Sequence, residues 1–143
     1  MKNTLLFFLL LVTFSCNQSE SNGEMSNQIS TVKKETIEMH DVVMADMGKL
    51  RSLRDSLLSL SVRNDSIESV QLRKIIFNLD SADKAMWDWM HNYNVNFKSE
   101  TDSATLVYFH RKYLDIQQIK QLFENSISSG QNYLSTSIDG HAQ

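Results

Sequence analysis

The sequence predicts an all-α protein: an antiparallel, up-down-up three-helix bundle with long, coiled-coil-like helices. Three observations predict it. The 143 residues include no proline and only four glycines, Gly23, Gly48, Gly130 and Gly140. Proline breaks helix interiors and glycine weakens them, so their scarcity suits long uninterrupted helices. Apolar residues recur at spacings of three and four, the period of a helix face, and do not alternate as in a strand. Polar clusters interrupt that pattern near residues 63–66 and 92–103, dividing it into three segments.

The N-terminal residues precede the bundle and read as an address. Lys2 supplies a positive charge, and residues 5–12 form an apolar run of eight. A bilayer span needs about 20 apolar residues, so this run fits the core of an export signal. Residues 1–15 are therefore expected to be a signal peptide, with Cys16 the lipid-bearing first residue of the mature chain. The segment Thr13-Phe14-Ser15-Cys16 resembles a lipobox. It departs from the commonest form at Thr13, where Leu is usual, and at Phe14, where a small residue is usual. An ordinary cleaved signal with a chance thiol is the competing reading. Cys16 is the only cysteine, which rules out an intrachain disulfide and a thiol-rich zinc site. Residues 17–28 are polar and rich in Ser and Asn, so 16–28 is expected to be the lipidated cysteine plus a flexible tether.

The bundle domain is expected over residues 29–137. The first helix is expected from about Ser30 to Val62, on the stripe Ile29, Val32, Thr36, Met39, Val43, Asp46, Leu50, Leu53, Leu57 and Leu60, with Asp46 as its polar break. Ser30 or Thr31 can cap its start. Asn64 or Asp65 can cap a second helix running to about Asn92, on Leu72, Ile75, Leu79, Ala82, Met86, Trp89 and Tyr93. Ile76, Phe77 and Met90 widen that face, and residues 78–81 are a soft spot where the helix could kink. Residues 92–103 are expected to be a loop. Thr101 or Asp102 then caps a third helix to about Ser135, on Leu106, Phe109, Tyr113, Ile116, Lys120, Phe123, Ile127 and Leu134. Gly130, after Ser128 and Ser129, is a place for it to end or bend. Residues 138–143 are expected to form a frayed tail.

Charge excludes some functions. The net charge is −3 at pH 7, and removing Lys2 with the signal makes it more negative. The basic residues are scattered as short pairs: Lys33 and Lys34, Arg51 and Arg54, Arg73 and Lys74, Arg111 and Lys112. Each fits a solvated helix face, and no basic stripe calls for nucleic acid. His110-Arg111-Lys112 reads as surface rather than as a phosphate site. No Gly-rich phosphate loop, Ser/His/Asp set or Cys/His set appears, and the chain reads as non-enzymatic.

Two Met/His segments are the most specific local feature: Met39-His40-Asp41-Val42-Val43-Met44-Ala45-Asp46-Met47 and Met86-Trp87-Asp88-Trp89-Met90-His91. They hold five of seven methionines, two of four histidines and both tryptophans. On a helix, His40, Met44 and Met47 share one face, roughly 90° from the Val43–Leu50–Leu57 stripe. Met86 and Met90 align on the second helix, with His91 just off their line. One reading is that methionine fills irregular gaps beside aromatic rings. The other is a thioether/imidazole site for a soft metal such as copper, using His40, Met44, Met47, Met86, Met90 and His91.

The same residues carry a resemblance. His40-Asp41-Val42-Val43-Met44-Ala45-Asp46-Met47-Gly48-Lys49-Leu50, followed by Ala82-Asp83-Lys84-Ala85-Met86-Trp87-Asp88-Trp89-Met90-His91, resembles a family of small Bacteroidota envelope lipoproteins. Some of its members are labelled "viral A-type inclusion protein", a label that reflects coiled-coil similarity and implies no virus. The resemblance implies envelope localisation, where looser lipoboxes are common, and a helical shape. It brings no catalytic residues. The expected role is that of a membrane-anchored binding or scaffolding module in the cell envelope, held by its lipid, with a protein partner or a second copy as occupant. The outer membrane is the expected address, with its face left open. The alternative is a copper-binding envelope protein.

Overall fold

The computed structural model describes the backbone of residues 18–61 and 68–140, and the side chains of 23–61 and 70–137. The signal, Cys16, the Asn64 and Asp65 caps and residues 141–143 lie outside the described residues. Three helices make up the described chain: α1 (Gln18–Ser61), α2 (Glu68–Asn92) and α3 (Asp102–Gly140). No strand occurs among the described residues. The chain is an all-α three-helix bundle.

Cross-helix contacts give the directions. Arg51 pairs with Asp83 and Arg54 with Asp80, so α1 and α2 run antiparallel. Trp89 bonds to Lys112 and Asn78 to Ser126, so α2 and α3 run antiparallel as well. Lys33 lies over the Phe109 ring while Leu53 packs at Gly130, which makes α1 and α3 parallel. The path is up-down-up. Although parallel, α1 and α3 share the most extensive interface of the three.

The core is one cluster running the length of the bundle, with Leu50, Leu57, Leu79, Met86, Ile116 and Phe123 all almost fully buried. Thr36 is also sealed in, and its hydroxyl donates to the Val32 carbonyl at 2.6 Å, so its polarity is satisfied within α1.

The helix faces differ from expectation in four ways. On α1, Met47 (5% exposed) takes the seam position between Val43 and Leu50, and Asp46 is half-buried at the edge. A helix interior prefers the thioether to a carboxylate that lacks a partner. On α2, Phe77 is 68% exposed and points away from the core, whereas Ile76 is buried. On α3, the buried side turns to Thr105, Phe109, Ile116, Ile119, Phe123, Ser126 and Ile127, leaving Leu106, Tyr113 and Lys120 at its margins. A helix touching two partners needs this wider face. Last, neither residues 78–81 nor Gly130 breaks a helix: both helices are continuous there, and no glycine has positive φ.

Two boundaries move outward. The helix α1 begins at Gln18, so residues 18–28 are helical where a flexible tether is expected. Nothing in that stretch breaks a helix. Over 23–28 the side chains are exposed except for half-buried Met25, and the packed core starts only at Val32. With Lys33 opposite Phe109 and Leu53 opposite Gly130, the start of α3 stands level with residues 25–26 of α1, so about the first two turns of α1, roughly 10 Å, extend past α3. At the other end α3 continues to Gly140, past the expected stop near Ser135.

The α2–α3 connection is an ordered loop. Asn94 accepts from the Phe97 amide at 3.1 Å and, through its side chain, from the Asn96 amide at 3.0 Å. The Phe97 ring stacks on Tyr108 at 4.0 Å, and the Tyr108 hydroxyl accepts from the Asn94 amide at 2.7 Å. The Thr101 hydroxyl accepts from the Ala104 amide at 3.2 Å and caps α3.

Candidate functional site

The register of α1 against α2 is marked by an ion-pair clasp. Arg51 donates to Asp83 Oδ1 from Nε at 3.2 Å and from a terminal nitrogen at 2.9 Å. Arg54 donates to Asp80 at 3.3 Å and lies 3.9 Å from the other Asp83 oxygen. The Asp83 side chain is 18% exposed, so this clasp is partly withdrawn from solvent and is not the solvated pair expected for Arg51 and Arg54. Arg51 also sits 5.8 Å from the Trp87 ring centroid.

That register aligns the Met/His segments. Met44 lies seven residues before Arg51, and Met90 seven residues after Asp83. In antiparallel helices these two offsets run the same way along the axis and over the same length. Seven residues is close to two turns, so each methionine also stays on the side that carries the clasp. Met44 and Met90 therefore stand level along the α1–α2 seam, both half-buried and both packed against the core. Met47 and Met86 come one turn nearer the clasp and are sealed, at 5% and 0% exposed.

His40, one turn before Met44, completes this edge. Its ring stacks on Trp89 with centroids 5.6 Å apart and planes 28° apart. Trp89 also stacks on Tyr93 at 4.7 Å, and Tyr93 meets the edge of Phe109 at 6.3 Å. The indole Nε1 donates to the Lys112 carbonyl at 3.1 Å, so α3 fixes the platform on which His40 lies. His40 Nδ1 is 2.9 Å from Asp41 Oδ1. A carboxylate only accepts, so Nδ1 is the donor in this contact, and the neutral tautomer that fits it carries its lone pair on Nε2. The His40 side chain keeps 22% exposure.

His91 goes elsewhere. It is exposed, its Nδ1 lies 2.7 Å from the Trp87 carbonyl, and its ring tilts against Trp87 at 6.2 Å. Two residues past Trp89, it stands on the opposite side of α2 from the His40 platform. The six residues singled out by sequence thus divide. His40, Met44 and Met90 share an accessible edge, Met47 and Met86 lie in the core behind it, and His91 is apart. Among the described residues, no three His, Cys, Asp or Glu side chains converge as a metal-ligand group.

A second feature is an open groove of about 620 Å³ between α2 and α3, walled by Trp89 and Tyr108 and floored by Ile119 and Leu122. Its charged groups are already engaged: Lys112 lies 3.8 Å from Asp115, and Asp88 pairs with Lys84. Beside it the Tyr93 hydroxyl is buried without a hydrogen-bond partner. Burial first, and the neighbouring Tyr108 second, raise the Tyr93 pKa above its ordinary value.

Sequence reasoning missed the clasp and the aromatic stack. The clasp left a signal: two arginines three apart on α1 match two aspartates three apart on α2, which is complementary spacing along antiparallel helices. The stack left none, because Trp89 and Tyr93 read equally well as ordinary core. No protein-family model, curated protein or solved structure matches this chain.

Proposed function

We propose that this chain is a lipid-anchored protein of the cell envelope whose helical bundle is a binding or scaffolding module and not an enzyme. The address rests on Cys16, placed directly after an apolar run of signal length. No described helix is long and apolar enough to cross a membrane, so in this reading attachment falls to the lipid on Cys16. Each buried methylene contributes about 0.8 kcal/mol, so two or more acyl chains hold stably where one does not.

The observation that carries the binding role is the half-buried α1–α2 edge. There an oriented imidazole and two thioethers are presented on rigid helices rather than on a loop. Side chains held by well-packed helices suit recognition, because little freedom remains to be lost on binding.

The anchor is tested by growing cells on a clickable fatty acid and isolating the chain. Label is expected on the wild type and absent from Cys16→Ala, with the wild type in the membrane fraction. An unlabelled wild type, or a Cys16→Ala form that still takes label, overturns the reading.

A further inference from the structure

We propose that His40, Met44 and Met90 form a site for a soft monovalent cation, Cu(I), at the α1–α2 edge. This deepens the binding-module reading by naming its ligand.

Four observations support it. The donor set is chemically apt: thioether sulfur and neutral imidazole are ligands that soft Cu(I) accepts, and oxygen-seeking ions are poorly served by them. The imidazole is prepared, because Asp41 accepts the hydrogen bond from Nδ1 at 2.9 Å and so favours the tautomer with its lone pair on Nε2, as a carboxylate behind a ligating histidine does. The ring is also fixed in place by Trp89, itself held by Tyr93 and by the Lys112 carbonyl. Finally, the three donors come from two packed helices, Met44 and Met90 level in the register that the Arg51–Asp83 clasp marks and His40 one turn away, so no loop has to move to present them.

Burial divides the four methionines at this level of the seam. Methionines that only fill core gaps are expected to be sealed, as Met47 and Met86 are. Met44 and Met90 are half-buried, and His40 retains 22% exposure, so an ion arriving from solvent can reach them. The sealed pair behind them forms a dry wall. That wall disfavours hydrated, highly charged ions and tolerates a monovalent one. Trp89 serves as a platform, since both His40 and Tyr93 stack on it.

The test is an anaerobic Cu(I) titration of the full chain in detergent against a chromophoric chelator. It carries Cys16→Ser, because a free thiolate would itself take the ion. One equivalent is expected to bind with micromolar affinity or better, with sulfur and nitrogen scatterers in the X-ray absorption spectrum. Met44→Leu and Met90→Leu are each expected to weaken binding by about tenfold or more, and Asp41→Asn by about tenfold through the loosened imidazole. Met47→Leu is expected to leave affinity unchanged. Leu replaces Met with little change of volume, so thermal unfolding should show each variant folded. Binding no tighter than millimolar, or wild-type affinity in the Met44→Leu/Met90→Leu double variant, overturns the proposal. The fatty-acid experiment reads a different residue, so either reading can fail alone.

Discussion

Tyr93 shows how a single residue can be half legible. Its place at the end of the α2 stripe is readable from spacing, and it does pack against the core. Its hydroxyl, however, is buried with no partner, and nothing in the sequence announces that. An unpaired buried hydroxyl costs about 1–3 kcal/mol, so removing it should not destabilise the fold. Tyr93→Phe is expected to leave thermal stability equal or raise it by about 1 kcal/mol, as read by calorimetry at neutral pH. The pH dependence has a definite sign. The folded state holds the phenolic proton more tightly than the unfolded chain does, chiefly because burial disfavours the phenolate. Stability from this group is thus fully present below the unfolded value of 10.0 and is lost as pH rises from there through the higher folded value. Tyr93→Phe should flatten that alkaline decline; an equally steep decline in the variant would assign it to other groups. Asp46 and Met47 make the same point for position. Both fit a three-four spacing, and periodicity alone does not say that the neighbour one step round the helix fills the seam.

Among the elements, helix existence and type were readable, while their limits and special residues were less so. The absence of proline and the three-four period identify α1, α2 and α3, and Thr101 marks the start of the last. Gly130 is the instructive failure. After two serines it looks like a stop signal, yet it lies inside α3 against α1. A Cβ built there would meet Leu53 Cδ2 at 2.6 Å and Leu57 Cδ1 at 3.3 Å. The residue is small because two parallel helices approach closely at that level, a tertiary fact with no local signature. The contrast is Gly48, also within a helix, where an added Cβ meets nothing within 4 Å. Gly48→Ala is expected to stabilise by about 1 kcal/mol through helix propensity. Gly130→Ala gains the same propensity but overpacks Leu53, at a cost of about 1–3 kcal/mol. Its melting temperature should fall below that of Gly48→Ala by several degrees. If the two alanines prove equally stabilising, the close approach of α1 and α3 is not a constraint on the fold.

For the whole molecule, bundle topology followed from three amphipathic segments and two interruptions, but register did not. Heptad-like spacing permits several alignments, and the one adopted matches charge as well as core: it aligns the Arg51/Arg54 and Asp80/Asp83 pairs and places Met44 level with Met90. The candidate site was therefore legible as a set of residue types and illegible as a geometry, which is why His91 entered the set and the sealed Met47 and Met86 could not be set apart. Shape and stability are also distributed unevenly. Almost all burial lies between Val32 and Gly130, while the first two turns of α1 extend past the start of α3 and the side chains over 23–28 are exposed, Met25 excepted. Helix without packing adds little stability, since an isolated turn barely offsets its own ordering entropy. Deleting residues 1–23 should therefore leave the melting temperature of the bundle within about 2 °C, corresponding to roughly 0.5 kcal/mol or less. Hydrogen exchange should agree, with fast amides over 24–31 and slow ones through residues 43–57 of the intact chain. A large loss of stability on truncation would mean that the projecting turns of α1 are packed, and would move the boundary of the folding unit toward the N-terminus.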